Sequence, residues 1–216
     1  MRLRLATLSL LLILPFRAEA QAGASGTLVV RRGGTEIGRE DFSFEAPRKR
    51  HLGPTLLVSA KYPSATPPVQ IAVRLERDTA AQLTLFQLDS EGAGGTSRIL
   101  AAGAGARLIL RTQAEGTETG RELPGGPDVV LLDENAYALY TAVADLARPA
   151  GTRLTAIFPR SGRRASFTAR RDGNQGAPAR ISMTGEITGT LTVDAGGRLE
   201  RLEFPAAGVT VSLSDR

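Results

Sequence analysis

One stretch of this chain has the period of a helix, and most of the rest alternates apolar and polar residues as strands do. In "VVLLDENAYALYTAVADLAR" (129–148) apolar residues recur at steps of three and four, whereas the segment 69–76 alternates at every second position. A helix with one apolar stripe has to lay that stripe on another apolar surface. The pattern therefore predicts a mainly β fold in which a single central helix covers a sheet.

Capping signals set the limits of the predicted helix. Asp133 is a favoured N-cap residue, and Leu132 and Tyr137 fit the two positions of a hydrophobic staple around it. Pro149 and Gly151 prevent the helix from continuing. We therefore predict a helix over about 134–147, with an apolar stripe formed by Ala136, Leu139, Tyr140, Val143, Leu146 and Ala147.

Turn residues divide the remaining chain into strands. Gly33 and Gly34 supply the positive φ of a tight hairpin turn, and a second hairpin turns at 195–197. The segment 45–55 carries two prolines and is expected to be a loop. The patterns give about ten strands, more than a twisted open sheet usually holds without curling. The expected fold is a curved antiparallel sheet, a half-open barrel, covered by the helix.

The first twenty residues have the pattern of a signal peptide. Arg2 and Arg4 precede an apolar run, and Ala18-Glu19-Ala20 is a small-x-small cleavage site. A membrane anchor is the alternative, but a spanning helix needs roughly 20 apolar residues, and Arg17 ends this run earlier. We expect cleavage near Ala20, a single domain over 21–216, and a periplasmic or secreted product that is not an integral membrane protein.

Composition excludes several classes of function. The chain has no cysteine, which removes disulfides, thiol catalysis and cysteine metal ligands. Its net charge of +5 falls when the three arginines and one glutamate of the signal peptide are removed. A balance this mild does not indicate a nucleic-acid partner, and we expect none.

Catalytic residues are hard to assemble from this sequence. His51 is the single histidine, it lies in a basic segment between prolines, and no G-x-S-x-G motif accompanies it. The neighbouring carboxylates are Glu40 with Asp41, Asp89 with Glu91, and Asp133 with Glu134. They fall at turns, strand ends and the helix start, where acids cap or solvate. We expect no catalytic residue, metal or cofactor, and a hydrolase is the remaining enzymatic alternative.

A ligand cavity would remain if the helix covered only part of the concave sheet. The residues predicted to line it are Phe86, Leu139, Tyr140, Val143 and Phe167. Four arginines near the ends of one predicted strand are suited to an anionic headgroup or a partner, because guanidinium groups bind phosphate through two hydrogen bonds. They are Arg163, Arg164, Arg170 and Arg171. Alternatively, they protect a solvated strand edge from aggregation.

Two hypotheses of function follow. In the first, the exported protein binds an apolar or amphipathic ligand, such as a lipid, between helix and sheet. In the second, it is a non-enzymatic scaffold or interaction module of the cell envelope that contacts another envelope protein and has no ligand cavity. A filled interior together with an exposed strand edge would favour the second hypothesis.

The order of elements around "VVLLDENAYALYTAVADLAR", "IFPR" and "VDAGGRLERLEFPAAGV" resembles a loose group of uncharacterised bacterial periplasmic proteins. These look like relatives of the half-barrel lipoprotein carriers with the LolA-like fold. The resemblance implies a curved antiparallel sheet with a helical plug that holds acyl chains. It assigns no role to an individual residue.

Overall fold

The fold is one large sheet that curls around a short helix. A computed structural model describes residues 23–174 and 176–214, which form fifteen strands. The strands are β1 (Ser25–Arg32), β2 (Thr35–Glu45), β3 (Thr55–Tyr62), β4 (Val69–Arg77), β5 (Leu83–Gly92), β6 (Gly95–Ala104), β7 (Arg107–Ala114), β8 (Thr117–Pro124), β9 (Val129–Leu131), β10 (Thr152–Phe158), β11 (Arg163–Asp172), β12 (Ala179–Gly185), β13 (Gly189–Val193), β14 (Leu199–Phe204) and β15 (Val209–Leu213). Short 3-10 helices span Tyr137–Tyr140 and Pro205–Ala207, and the α-helix α1 spans Thr141–Leu146.

Two meanders make up the sheet. The strand order is β8-β7-β6-β5-β4-β3-β2-β1-β15-β14-β13-β12-β11-β10-β9. Strands β1 to β8 follow one another on one side, strands β9 to β15 on the other, and the pairing of β1 with β15 joins the two halves. Strand β9 runs parallel to β10, whereas the other neighbouring strands in the described ranges are antiparallel. Strands β8 and β9 are the two ends of the sheet.

The core lies on the inner face of the curl. Apolar residues at alternate positions of both meanders are buried there, including Leu28, Phe42 and Phe86 in the first and Leu154 and Ile181 in the second. The 3-10 helix over 137–140 and α1, which we call the plug, pack against β2, β11, β13 and β14. Because these strands belong to both halves, the plug fills the space that the curled sheet surrounds.

The predicted mainly β fold with one helix on its sheet is confirmed. The predicted number of about ten strands was too low. Two of the strands it left out are β8, which faces solvent on both sides, and the three-residue β9, and neither has an apolar alternation. Among the described strands, β9 and β10 also break the expected antiparallel pattern. The predicted signal peptide, residues 1–20, lies outside the described residues.

The helix is shorter than the predicted 134–147. Asp133 accepts a hydrogen bond from the backbone N–H of Asn135 at 2.9 Å and is also bound by Arg160, so it forms a turn instead of an N-cap. At the other end Ala147 is extended, with φ −64° and ψ 136°. Regular α-helix is thus confined to Thr141–Leu146, and the preceding turn has 3-10 geometry.

Candidate functional site

A buried carboxylate from the sheet holds the beginning of the plug. Glu40 lies on the inner face of β2 with no exposed surface. Its Oε1 accepts hydrogen bonds from the Tyr62 hydroxyl at 2.5 Å and from the Tyr137 N–H at 2.8 Å, and its Oε2 accepts one from the Ala138 N–H at 3.0 Å. The first N–H groups of a helix have no partner within it. Glu40 therefore caps the plug from a strand nearly one hundred residues earlier in the sequence.

Small residues and burial shape the surroundings of Glu40. Gly38 lies two residues before Glu40 on the same face of β2. A Cβ atom there would overlap the Tyr62 ring, so the ring can pack at this position only against a glycine. Burial raises the pKa of the Tyr62 hydroxyl, and the neighbouring Glu40 raises it further. Burial also raises the pKa of Tyr137 to about 12. Both hydroxyls therefore stay protonated, and Tyr62 can donate its hydrogen to Glu40.

The stability of the fold is expected to depend on pH through Glu40. Burial raises the pKa of this carboxyl above its ordinary value of 4.5, although the three hydrogen bonds oppose the rise. The folded chain then holds the proton more tightly than the unfolded chain. Its contribution to stability is complete below about pH 4.5 and is lost as the pH rises through the folded pKa. Urea unfolding at a series of pH values measures this loss. The free energy of unfolding of the wild type minus that of Glu40→Gln, which cannot titrate at this position, is expected to fall as the pH rises.

The control for this measurement is Asp41→Asn, because Asp41 is exposed, points to the opposite face of β2 and accepts a hydrogen bond from the Thr27 hydroxyl. A wild-type minus Glu40→Gln difference that stays constant or grows with pH would contradict the raised pKa.

Charged side chains from both meanders hold the end of the plug. The Arg77 Nη2 atom at the end of β4 lies 2.6 Å from Asp145 Oδ2 in α1. Arg171 in β11 is buried and donates from Nη1 to the Ala144 carbonyl at 3.3 Å and from Nη2 to the Ala177 carbonyl at 3.2 Å. Cations near the last carbonyls of a helix are favourable. The plug is therefore attached to the sheet by polar contacts at both of its ends.

A second buried carboxylate precedes the plug. Asp133 is 2% exposed, and its two oxygens accept hydrogen bonds from Arg160 Nε at 2.7 Å and Nη2 at 2.6 Å. The hydrogen bond to Asp133 raises the pKa of Arg160. This bidentate ion pair holds the segment between β9 and the plug against the turn that follows β10.

The residues predicted to line a cavity are packed in the core. Phe86, Leu139 and Val143 have no exposed surface, so no space large enough for water adjoins them. Phe167 and Tyr140 are also buried, and the Tyr140 and Phe204 rings meet edge to face with centroids 5.3 Å apart. Leu139, Tyr140 and Val143 come from the plug itself, while Phe86 and Phe167 come from β5 and β11. A ligand would reach them only if the plug moved.

The structure does not bring the four predicted arginines together. Arg163 and Arg164 begin β11, whereas Arg170 and Arg171 lie near its end, roughly 20 Å away at the rise of a strand. Arg164 and Arg170 are exposed, while Arg171 is buried beneath the plug. The Arg163 guanidinium lies 3.7 Å from the centre of the Phe158 ring. The arginines therefore occupy three different environments.

The sequence-predicted acids and histidine are likewise dispersed. Glu40 and Asp41 face opposite sides of β2, and Glu134 is exposed beside the buried Asp133. His51 is exposed in the loop between β2 and β3. Within residues 23–174 and 176–214, no group of three or more histidine or acidic side chains is placed to hold a metal ion.

An open cleft of about 620 Å³ crosses the outer face of β3 to β7. On its floor Asp89 pairs with Arg98 at 2.6 Å. On the other face of the same two strands, the Ser90 and Ser97 hydroxyls share a hydrogen bond at 2.8 Å. These polar groups satisfy one another. The cleft is thus a polar outer surface, in contrast to the apolar interior that sequence patterning suggested for ligand binding.

Strand β8 is one of the strands that sequence patterning missed. All of its residues are exposed except the partly buried Leu123, and no described strand pairs with its outer edge. It joins β7 through the two-residue turn Glu115-Gly116, whose φ angles are +50° and +77°. The sequence signal for this hairpin is the glycine in "AEGT" and the threonines that follow, since apolar alternation is absent.

The turn determines which backbone groups of β8 are free. In a two-residue hairpin the residues that flank the turn, here Ala114 and Thr117, exchange hydrogen bonds, and every second pair does so from there on. The intervening residues of β8 direct their N–H and C=O groups away from β7. These residues are Glu118, Gly120 and Glu122.

No family model and no curated protein matches this chain. Among solved structures, it is similar to a DUF1089 family protein from Pseudomonas aeruginosa, with 14% sequence identity and a TM-score of 0.47 over 94% of this chain and 97% of that chain. This similarity assigns neither a family nor a function. In the described ranges no helix has the length and apolar character to cross a membrane.

Proposed function

We propose that the protein is an exported, non-enzymatic interaction module of the cell envelope that receives a strand of a partner protein along β8. The observation that carries the proposal is the exposed outer edge of β8 at the end of the sheet. Edge strands present unpaired backbone groups and accept added strands, as in many peptide-recognition domains. The packed plug supports this function, because it fills the interior that a ligand would otherwise occupy.

A proline at Gly120 tests strand addition. Gly120 directs its N–H away from β7, so Gly120→Pro removes a donor from the free edge and leaves the β7 hydrogen bonds in place. Gly120→Ala is the matched control, since a Cβ atom there meets nothing within 4 Å. With a photo-crosslinking residue at Thr119 in the native host, we expect a discrete adduct that Gly120→Pro reduces at least ~10-fold and Gly120→Ala retains. Equal adducts from both variants would overturn the proposal.

A second candidate function is uptake of an apolar or amphipathic ligand, such as a lipid, beneath the plug. The polar anchors of the plug favour it, because deprotonation weakens the hold of Glu40 on the plug, and a competing charge weakens the Arg77–Asp145 pair. The half-barrel would then open by releasing the plug. Native mass spectrometry after purification from the native host is expected to find a ligand adduct. Finding only the empty protein would count against this candidate.

A further inference from the structure

We infer that the strand that pairs with β8 is basic. On the outer face of the sheet it carries one large aromatic side chain, with one lysine or arginine before it and one after it. This inference rests on the proposed function and specifies its partner. Three features of β8 support it. They are the charges on its outer face, the backbone at Gly120 that no side chain covers, and the repulsion between like charges that disfavours pairing with a second copy of the chain.

The register of β7 and β8 fixes the faces of the edge strand. Glu118, Gly120 and Glu122 are opposite Gln113, Arg111 and Ile109, which lie on the outer face. Thr119, Arg121 and Leu123 are opposite Thr112, Leu110 and Leu108 on the inner face. A strand added to β8 continues this alternation, so every second side chain of the partner meets Glu118, Gly120 or Glu122.

The two outer-face glutamates favour a cationic partner. Side chains directly opposite each other on neighbouring strands have Cβ atoms about 4.5–5.5 Å apart, and opposite charges at such positions are stabilising. One oxygen of each glutamate pairs with an arginine of β7. Glu118 lies 3.6 Å from Arg111 Nη1, and Glu122 lies 3.4 Å from Arg107 Nη1. Both pairs are largely exposed and contribute little. The other oxygen of each glutamate is available to a lysine or arginine of the added strand.

Gly120 leaves room for a large side chain between the two charges. Beyond Gly120 on the same row lie Arg111 and then Leu100, and Ile109 is on the adjoining row. Leu100 and Ile109 are 39% and 45% exposed, the exposed large apolar side chains of the described chain. An aromatic ring opposite Gly120 can cover its bare backbone, as aromatic residues do for edge glycines, and stack on the Arg111 guanidinium.

A second copy of this chain fits the edge poorly. Antiparallel pairing about a two-fold axis, in the registers that pair nearly the whole strand, places Glu118 opposite Glu122 or Arg121 opposite its own copy. Like charges directly opposite each other are destabilising. The charges of β8 therefore select a different chain, with the basic pattern described above.

Short peptides test the inferred pattern. The probe is a fluorescent, end-capped peptide Thr-Lys-Thr-Tyr-Thr-Lys-Thr, and its counterpart has glutamate at both lysine positions. By fluorescence anisotropy at low salt, we expect the lysine peptide to bind at least ~10-fold more tightly, or about 1.4 kcal/mol, because the peptides carry opposite charges at two positions. Glu118→Gln with Glu122→Gln is expected to remove this preference. The matched control, Glu91→Gln with Glu115→Gln, changes other acids of the outer face and is expected to keep it.

The outcomes separate the inference from the proposed function. Equal binding of both peptides, abolished for both by Gly120→Pro, would overturn the charge pattern and leave strand addition intact. Binding of the lysine peptide that Gly120→Pro does not reduce would place it elsewhere and contradict both. An absence of binding at millimolar peptide would overturn the inferred pattern, while the crosslinking experiment continues to test strand addition by itself. Replacing the tyrosine with alanine is expected to weaken binding at least ~3-fold, because the apolar cover is lost.

Discussion

Replacing Glu40 with alanine is expected to lower the free energy of unfolding by about 3–5 kcal/mol near pH 5. The substitution leaves the Tyr62 hydroxyl and the N–H groups of Tyr137 and Ala138 without their acceptor. A buried donor that loses its partner costs about 1–3 kcal/mol. Because Glu40 connects the plug to β2, we also expect the plug to loosen before the sheet unfolds.

Tyrosine fluorescence and near-ultraviolet circular dichroism in urea measure both effects. The chain has no tryptophan, and its three tyrosines, Tyr62, Tyr137 and Tyr140, all lie at the plug or its anchor. These signals therefore report the plug, while far-ultraviolet dichroism reports the sheet. The control Asp41→Ala, on the opposite face of β2, is expected to change stability by less than about 1 kcal/mol. An equal effect of the two substitutions would contradict the anchoring role of Glu40.

Leu139→Ala is expected to destabilise the protein by about 3 kcal/mol. Leu139 is in the plug, has no exposed surface and contacts a core built from both meanders, so its truncation removes apolar contacts and leaves a cavity. The control Leu100→Ala truncates a leucine that is 39% exposed on the outer face and should cost less than about 1 kcal/mol. Urea unfolding of both variants gives the comparison. Similar losses would mean that the plug is not tightly packed, and would favour ligand uptake over strand addition.

Sequence patterning predicted the elements that bury one face. The hairpin turned at Gly33 and Gly34, the alternating strand over 69–76 and the apolar stripe of the helix all place apolar residues where a core needs them. Strand β8 has no buried face, and its threonines, glutamates and arginine carry no such period. Its strand structure comes from the turn at Glu115-Gly116 and from hydrogen bonds to β7. Neither leaves an apolar period in the sequence.

The anchors of the plug could not be predicted from local signals. Asp133 has the preference of an N-cap residue, but Arg160, which follows β10, binds its carboxylate and leaves capping to Glu40. Glu40 was expected at a turn or strand end, but it lies within β2, is buried there and caps the plug from the sheet. What the sequence could not reveal was the partner, because the contact joins β2 to a segment nearly one hundred residues later.

The pairing of β1 with β15 brings the two ends of the described chain together in the middle of the sheet, where the Ser214 N–H donates to the Thr27 carbonyl at 2.7 Å. A circular permutant that joined these ends and opened between β8 and β9 would run from β9 through β15 and β1 to β8. Each described strand would then pair with the one immediately before it in the sequence. Folding rates rise as the mean sequence separation of contacts falls, so the natural order of the chain is a slower route to this sheet than the permuted one.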